Sequence, residues 1–118
     1  MKIEELLRVL IEKGGSDLHL KVNRPPMMRI EGQLSASGFP VISKDEIKAM
    51  LHSVLTELQI KKLESSRELD FSYVVEGLAR FRGNIFHQMG HLGAVFRVIP
   101  VRIKTVEELK LPSVLNEL

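Results

Sequence analysis

Several features typical of secreted, membrane and metal-binding proteins are missing from this 118-residue sequence. It contains no cysteine, which excludes disulfides and thiolate metal sites. No apolar run approaches the ~20 residues that a membrane-spanning helix needs, and acidic residues stand where a signal peptide would carry its apolar segment. The formal net charge is only +2, and helices with basic faces and stacking aromatic residues are missing. We therefore expect a cytoplasmic protein that binds no nucleic acid and does not insert into a membrane.

A phosphate-binding loop is also missing. Such a loop needs two glycines flanking four residues, then Lys and Ser or Thr, so that backbone N–H groups can wrap the phosphates. The pair Gly14-Gly15 instead precedes an alternating segment. His87 and His91 flank a glycine-containing loop, whereas zinc needs about three or four convergent ligands. The sequence therefore predicts no catalytic residue, no metal site and no cofactor bound by this stretch alone.

What the sequence does contain is a regular succession of helical and strand patterns. Ile3–Ile11 follows helical spacing, and Ser16–Val22 alternates as a half-buried strand does. Two short strands follow, and two capping boxes that begin at Ser43 and Thr56 then predict two helices. Three more strands complete the pattern. We expect one α+β domain at residues 1–104, with helices packed on a mainly antiparallel sheet of about six strands, and a linker with the first helical turns of a following segment at residues 105–118.

The most informative stretch is a pair of strands between residues 78 and 100, separated by a loop that holds Gly90 and Gly93. In an antiparallel pair, residues that face each other point to the same side of the sheet. For any even-numbered loop, the apolar residues that share one face are Phe81, Ile85, Phe96 and Val98. The residues that share the other face are Arg80, Arg82 and Arg97. Such a cluster suits an anion, and the donor fork of arginine fits phosphate well.

Ordinary surface ion pairs are the alternative explanation of this arginine cluster. The preceding segment, Glu68–Val75, alternates as a strand, and a three-residue loop around Gly77 would connect it to the arginine-bearing strand. Glu68 and Asp70 would then lie beside Arg82 on the same face. Spacing alone favours such pairs, which contribute little to stability at a surface.

Six segments, taken in order, carry a family resemblance. They are Ser16–Leu20, Pro25–Gly32, Glu68–Ser72, Ala79–Arg82, Ala94–Pro100 and Glu107–Leu109. Together they resemble the N-terminal domain of the type IV pilus retraction (twitching motility) ATPases, within the secretion ATPase superfamily. The resemblance runs from about Glu4 to Leu118. It implies a PAS-like α+β domain of a homohexameric, cytoplasmic motor at the inner membrane, followed by a RecA-like core that holds ATP and Mg²⁺.

The resemblance also implies roles for particular residues. In that superfamily, arginines on the hairpin of the N-terminal domain reach a nucleotide held by a core domain, across a domain or subunit boundary. By position in the motif these correspond to Arg82 and Arg97, with Arg80 as a third. Gly83 departs from the family, which usually has Val there, and we expect it to loosen the strand and mark a bulge. Only fifteen residues precede Ser16, whereas the sibling assembly and type II secretion ATPases carry long extensions, and this favours the retraction type.

Two functions remain open at this stage. In the first, the domain belongs to a retraction motor, its arginines contact the phosphates of ATP held by the core, and it couples hydrolysis to domain motion. Its partners would be its own core, the neighbouring subunits and the pilus platform protein of the inner membrane. In the second, it is a PAS-like protein-interaction or small-ligand sensor domain, with its arginines merely paired with Asp70 and Glu68.

Overall fold

The computed structural model of the chain describes residues 1–100. The predicted boundary at residue 104 and the helices expected after it lie outside the described residues. The elements, in chain order, are α1 (Ile3–Glu12), β1 (Gly15–Leu20), β2 (Met27–Ile30), β3 (Gln33–Ala36), α2 (Lys44–Ser53), α3 (Glu57–Ser66), β4 (Glu68–Val75), β5 (Ala79–Gln88) and β6 (His91–Ile99). The predicted α+β class is confirmed.

All the described strands belong to one six-stranded sheet, in the order β3-β2-β1-β6-β5-β4. Every neighbouring pair is antiparallel. The last three strands form a meander, and β1 lies between β2 and β6. The first strand of the chain is therefore paired with the last described one, which brings residues about 80 positions apart into register.

The capping boxes at the starts of α2 and α3 are confirmed. The Ser43 hydroxyl accepts a hydrogen bond from the Glu46 backbone N–H at 3.2 Å, and the Glu46 carboxylate accepts one from the Ser43 backbone N–H at 3.1 Å. Thr56 and Gln59 form the same reciprocal pair. Each box satisfies backbone donors that a helix start would otherwise leave unpaired. The sequence pattern alone therefore predicts the residue at which each of the two helices begins.

The helices cover one face of the sheet, where α1 packs on β1, α2 on β6 and α3 on β4. The largest fully buried residues of the core include Leu6, Leu7, Leu18, Leu20, Leu51, Phe81 and Phe96. The rings of Phe71 and Phe96 meet edge to face, with centroids 5.9 Å apart and planes at 86°. Aromatic pairs prefer this geometry because the positive ring edge meets the negative face of the other ring.

The bulge expected at Gly83 is wrong, since pairing through this residue continues without a shift to both β4 and β6. A Cβ atom at Gly83 would lie 2.6 Å from a ring carbon of Phe71. The glycine therefore makes room for the Phe71 ring over the strand instead of disrupting the pairing. The register shift lies elsewhere, in β1 between Gly15 and Asp17.

Candidate anion-binding face

The turn between β5 and β6 determines which arginines meet. It is a two-residue loop, Met89-Gly90, with φ angles of 51° and 85°. A type I′ hairpin turn, whose twist matches that of the two strands it joins, requires positive φ angles at both of its central residues. The loop is shorter than expected because Gly93 lies within β6, but its length is even, and Arg82 is directly opposite Arg97.

The expected separation of apolar and charged side chains is confirmed. The fully buried residues of this hairpin include Phe81, Ile85 and Phe96. Arg80, Arg82 and Arg97 lie on the other side of the sheet, and all three are exposed. We call this side the outer face, because the described helices pack on the opposite side. Because the turn has an even number of residues, the arginines of the two strands lie together at the surface.

A buried carboxylate lies beside this pair and was missed as a site residue by the sequence analysis. Asp17 is only 7% exposed, and its register partners are Arg97 on β6 and Arg29 on β2. Its Oδ2 accepts a hydrogen bond from Arg97 Nη2 at 3.4 Å and lies 4.0 Å from Arg29 Nε. The alternation of β1 placed Asp17 on the polar side of its strand. Only the insertion of β1 between β2 and β6 brings both arginines to it.

The alternative explanation, in which Arg82 pairs with the carboxylates of β4, is wrong. Asn84 lies directly opposite Asp70, and its Nδ2 donates to Asp70 Oδ1 at 2.9 Å and to Glu68 Oε2 at 3.3 Å. Among residues 1–100, neither Arg80 nor Arg82 forms an ion pair. The side-chain amide of Asn84 thus engages the carboxylates that spacing had assigned to Arg82.

An open depression of about 270 Å³ lies at this part of the outer face. Its lining residues are Asp70, Arg82, Asn84, Val95 and Arg97. The Arg97 side chain is 67% exposed and engages Asp17 through one nitrogen, so that its other N–H donors point to no carboxylate of the described chain. Two guanidinium groups on adjacent strands can therefore bind one anion from neighbouring positions, with the bidentate geometry that phosphate accepts.

His19, which follows Asp17 on the same side of β1, is partly buried. Its Nε2 lies 3.8 Å from Asp17 Oδ2 and has no hydrogen-bond partner among the described residues. Burial lowers the pKa of His19 below 6.5, and the positive charges of Arg29, Lys21 and Arg97 lower it further, against the opposite effect of Asp17. The imidazole is therefore neutral at pH 7.

We expect the free energy of unfolding to decrease as the pH falls below 6.5, the ordinary pKa of histidine. The reason is that unfolded His19 takes up its proton at a higher pH than folded His19, so acid favours the unfolded chain. His19→Gln should make this decrease smaller, and the remainder should include His87, whose pKa burial also lowers. Urea unfolding of the chain at several pH values measures the slopes. Equal slopes for the wild type and His19→Gln would contradict this explanation.

His87 and His91, the spaced histidine pair of the sequence, lie at the other end of the hairpin. Both line a depression of about 240 Å³ together with Lys44, Lys48 and His52 of α2. Within residues 1–100, no group of three or more histidine and carboxylate side chains is arranged to hold a metal ion. None of the helices in this range has the length and apolar character that crossing a membrane requires.

Comparison with known proteins relates this chain to one group of ATPases, although no family model matches it. The type IV pilus retraction ATPase PilT of Pseudomonas aeruginosa is 40% identical over 114 residues, which cover 97% of this chain and 33% of PilT. The type IV pilus ATPase PilU of the same organism is 36% identical over 118 residues, which cover the whole chain and 31% of PilU. The chain thus spans about a third of the length of the curated relatives it matches.

A solved structure shows the same relationship in three dimensions. The crystal structure of the pilus retraction motor PilT with bound ADP matches this chain with a TM-score of 0.81 and 38% sequence identity, over 87% of this chain and 30% of that one. Fold and sequence therefore agree, and the resemblance drawn from the sequence motifs is confirmed. Nearly the whole chain therefore matches the N-terminal domain of the PilT-type secretion ATPases.

Proposed function

We propose that this chain is part of a type IV pilus retraction ATPase and that its outer face contacts the phosphates of ATP bound by a RecA-like core. The observation that carries the proposal is that Arg82 and Arg97 lie directly opposite each other, exposed, on the face that the described helices leave open. The related PilT structure contains ADP, which supports a nucleotide as the anion.

The chemistry of the two arginines suits the β- and γ-phosphates. Arginine stays charged at any physiological pH and offers a planar set of donors to phosphate oxygens. Charge that develops on the transferred phosphoryl group during hydrolysis is stabilised by cations placed in advance. Arg80, two residues before Arg82 on the same face and opposite Ile99, is the third candidate contact. We give Arg80 a secondary role because it is not among the residues that line the depression beside Arg82 and Arg97.

The nucleotide must be held mainly by another domain, because this sequence has no phosphate-binding loop. We therefore propose that ATP and Mg²⁺ are held by a core domain outside these 118 residues, in the same subunit or a neighbouring one. Contact between the outer face and that nucleotide would couple ATP binding and hydrolysis to domain motion. The proposal includes a homohexamer, a cytoplasmic position at the inner membrane and the pilus platform protein as a partner, as the resemblance to pilus retraction ATPases implies.

The alternative function, a PAS-like protein-interaction or ligand-sensing domain, assigns the arginines to ion pairs with Asp70 and Glu68. It is less well supported, because those carboxylates are engaged by Asn84. The sensor alternative also leaves the exposed, directly opposed Arg82 and Arg97 without a role.

Nucleotide affinity tests the proposal. In the protein that includes the core, Arg82→Gln or Arg97→Gln should weaken ATP binding by about tenfold, because each removes a charged hydrogen bond to phosphate. ADP binding should weaken less, because ADP lacks the γ-phosphate. Isothermal calorimetry with both nucleotides measures the difference.

The matched control is Arg8→Gln. Arg8 is also an exposed arginine, but it lies on α1, on the opposite side of the sheet, beside Glu4 at 3.9 Å. Its replacement should leave both affinities unchanged. Unchanged ATP affinity in Arg82→Gln and Arg97→Gln would contradict the proposed function and favour the sensor domain.

A further inference from the structure

We propose that Asp17 is a positioning residue for Arg97, an inference that rests on the proposed function. The carboxylate is buried within the sheet beside an arginine whose side chain is 67% exposed, and their hydrogen bond of 3.4 Å is the ion pair that Arg97 makes within residues 1–100. A buried anion thus contacts an exposed cation at the edge of the depression where phosphate would bind.

Arg97 needs such a contact because its cross-strand neighbour carries the same charge. Residues directly opposite on antiparallel strands have Cβ atoms about 5 Å apart, and like charges at that separation repel. Arg82 and Arg97 occupy this arrangement. Without a counter-charge, the two long side chains would spread away from each other over the surface. Asp17 lies on the far side of Arg97 from Arg82 and offsets this repulsion.

Asp17 lies on an interior strand of the sheet. β1 is paired with β2 on one side and with β6 on the other, and the next residue, Leu18, is fully buried in the core. Pairing on both sides holds the backbone of Asp17, and its short side chain is buried. Arg97 therefore has its counter-charge at a position that the sheet defines.

The second partner of Asp17 shares the carboxylate with Arg97. Arg29 Nε lies 4.0 Å from the same Oδ2, on the opposite side, so that the buried carboxylate has two cations beside it, as a buried charge requires. Arg97 contacts Asp17 through one nitrogen, which leaves its other N–H donors available to a phosphate while the contact with Asp17 is kept. Asp17 can thus orient Arg97 both before and after ATP arrives.

A double-mutant cycle in the protein that includes the core tests this role. Asp17→Asn preserves the side-chain shape and removes the charge, and we expect it to lower kcat for ATP hydrolysis by about fivefold, since misplacement of a charged group weakens transition-state contacts. In an Arg97→Ala background the same change should alter kcat by less than about twofold, because its target is gone. A merely structural role of Asp17 would lower kcat in both backgrounds.

The matched control is Glu68→Gln, which also turns a carboxylate into an amide on the outer face but contacts Asn84 instead of an arginine. It should leave kcat unchanged. If Asp17→Asn does not fold, as judged by thermal unfolding, Asp17→Glu takes its place in the cycle, because it keeps the charge and displaces it by one methylene. That displacement should again lower kcat only when Arg97 is present.

Two results would overturn the inference, and they are distinguishable. If Arg97→Ala impairs hydrolysis while both Asp17 variants turn over like the wild type, the positioning role is wrong and the proposed function stands. If Arg97→Ala itself retains wild-type turnover, the proposed function fails and the inference fails with it.

Discussion

Replacing Arg82 or Arg97 with alanine in the protein that includes the core should lower kcat for ATP hydrolysis by about tenfold or more. Each change removes a cation that lies on the outer face and points to no carboxylate of β4. Because the charge on the phosphates grows in the transition state, the loss should affect kcat more strongly than it affects ground-state binding. Steady-state ATPase assays, with thermal unfolding to verify the fold, measure it.

The double variant, Arg82→Ala with Arg97→Ala, should lose less than the product of the two single losses. The two side chains are directly opposed and are proposed to serve the same phosphates, and residues that share one partner do not act additively. Arg8→Ala, on the helix-covered side, is the control and should hydrolyse ATP at the wild-type rate. Wild-type turnover in both single variants would rule out the proposed role of the outer face.

The largest effect on stability is expected from Phe96→Ala, which should lower the free energy of unfolding by about 3–5 kcal/mol. Phe96 is fully buried at the centre of the sheet, and its ring meets Phe71 edge to face at 5.9 Å. Alanine would lose this contact and leave a cavity that the surrounding core cannot fully close. Because domains are typically stable by only about 5–15 kcal/mol, the variant should lie close to its unfolding threshold. Urea or guanidinium unfolding of the chain measures the change.

An exposed apolar residue provides the comparison for Phe96. Leu58 on α3 is 78% exposed, and Leu58→Ala should change the free energy of unfolding by no more than about 0.5 kcal/mol. A similar decrease in the free energy of unfolding in both variants would contradict the expectation that burial of Phe96 in the core stabilises the domain. Phe96 also directly precedes Arg97 in β6, so the same strand carries both a main core residue and a proposed phosphate contact.

Local patterns in the sequence determined much of this fold. The capping boxes at Ser43 and Thr56 are contacts within one helical turn, and they could be recognised without knowing what the helices pack against. Alternation in β5 and β6 separates apolar from charged residues strand by strand. The even-numbered turn then places Arg82 opposite Arg97, since strand pairing across a tight hairpin depends on few residues.

Two predictions were wrong because they depended on which side chain of a neighbouring strand lies beside a given residue. Spacing assigned Asp70 to Arg82, but the choice among nearby partners on a face depends on side-chain reach, and Asn84 lies directly opposite Asp70. Glycine at position 83 suggested a bulge, because a residue without a side chain weakens a strand in isolation. In the structure the ring of Phe71 occupies the space that a side chain at position 83 would need, and the pairing continues regularly through this glycine.

The sequence by itself determined the α+β class, the starts of its capped helices and the side of the sheet on which the arginines lie, because each depends on contacts between residues close together in the chain. Only the tertiary structure decided that β1 lies between β2 and β6, and hence that Asp17 meets both Arg97 and Arg29. Strand order has no local signal, since it results from how the helices bury one shared core on one face of the sheet. The positioning of Arg97 is therefore a property of the assembled sheet.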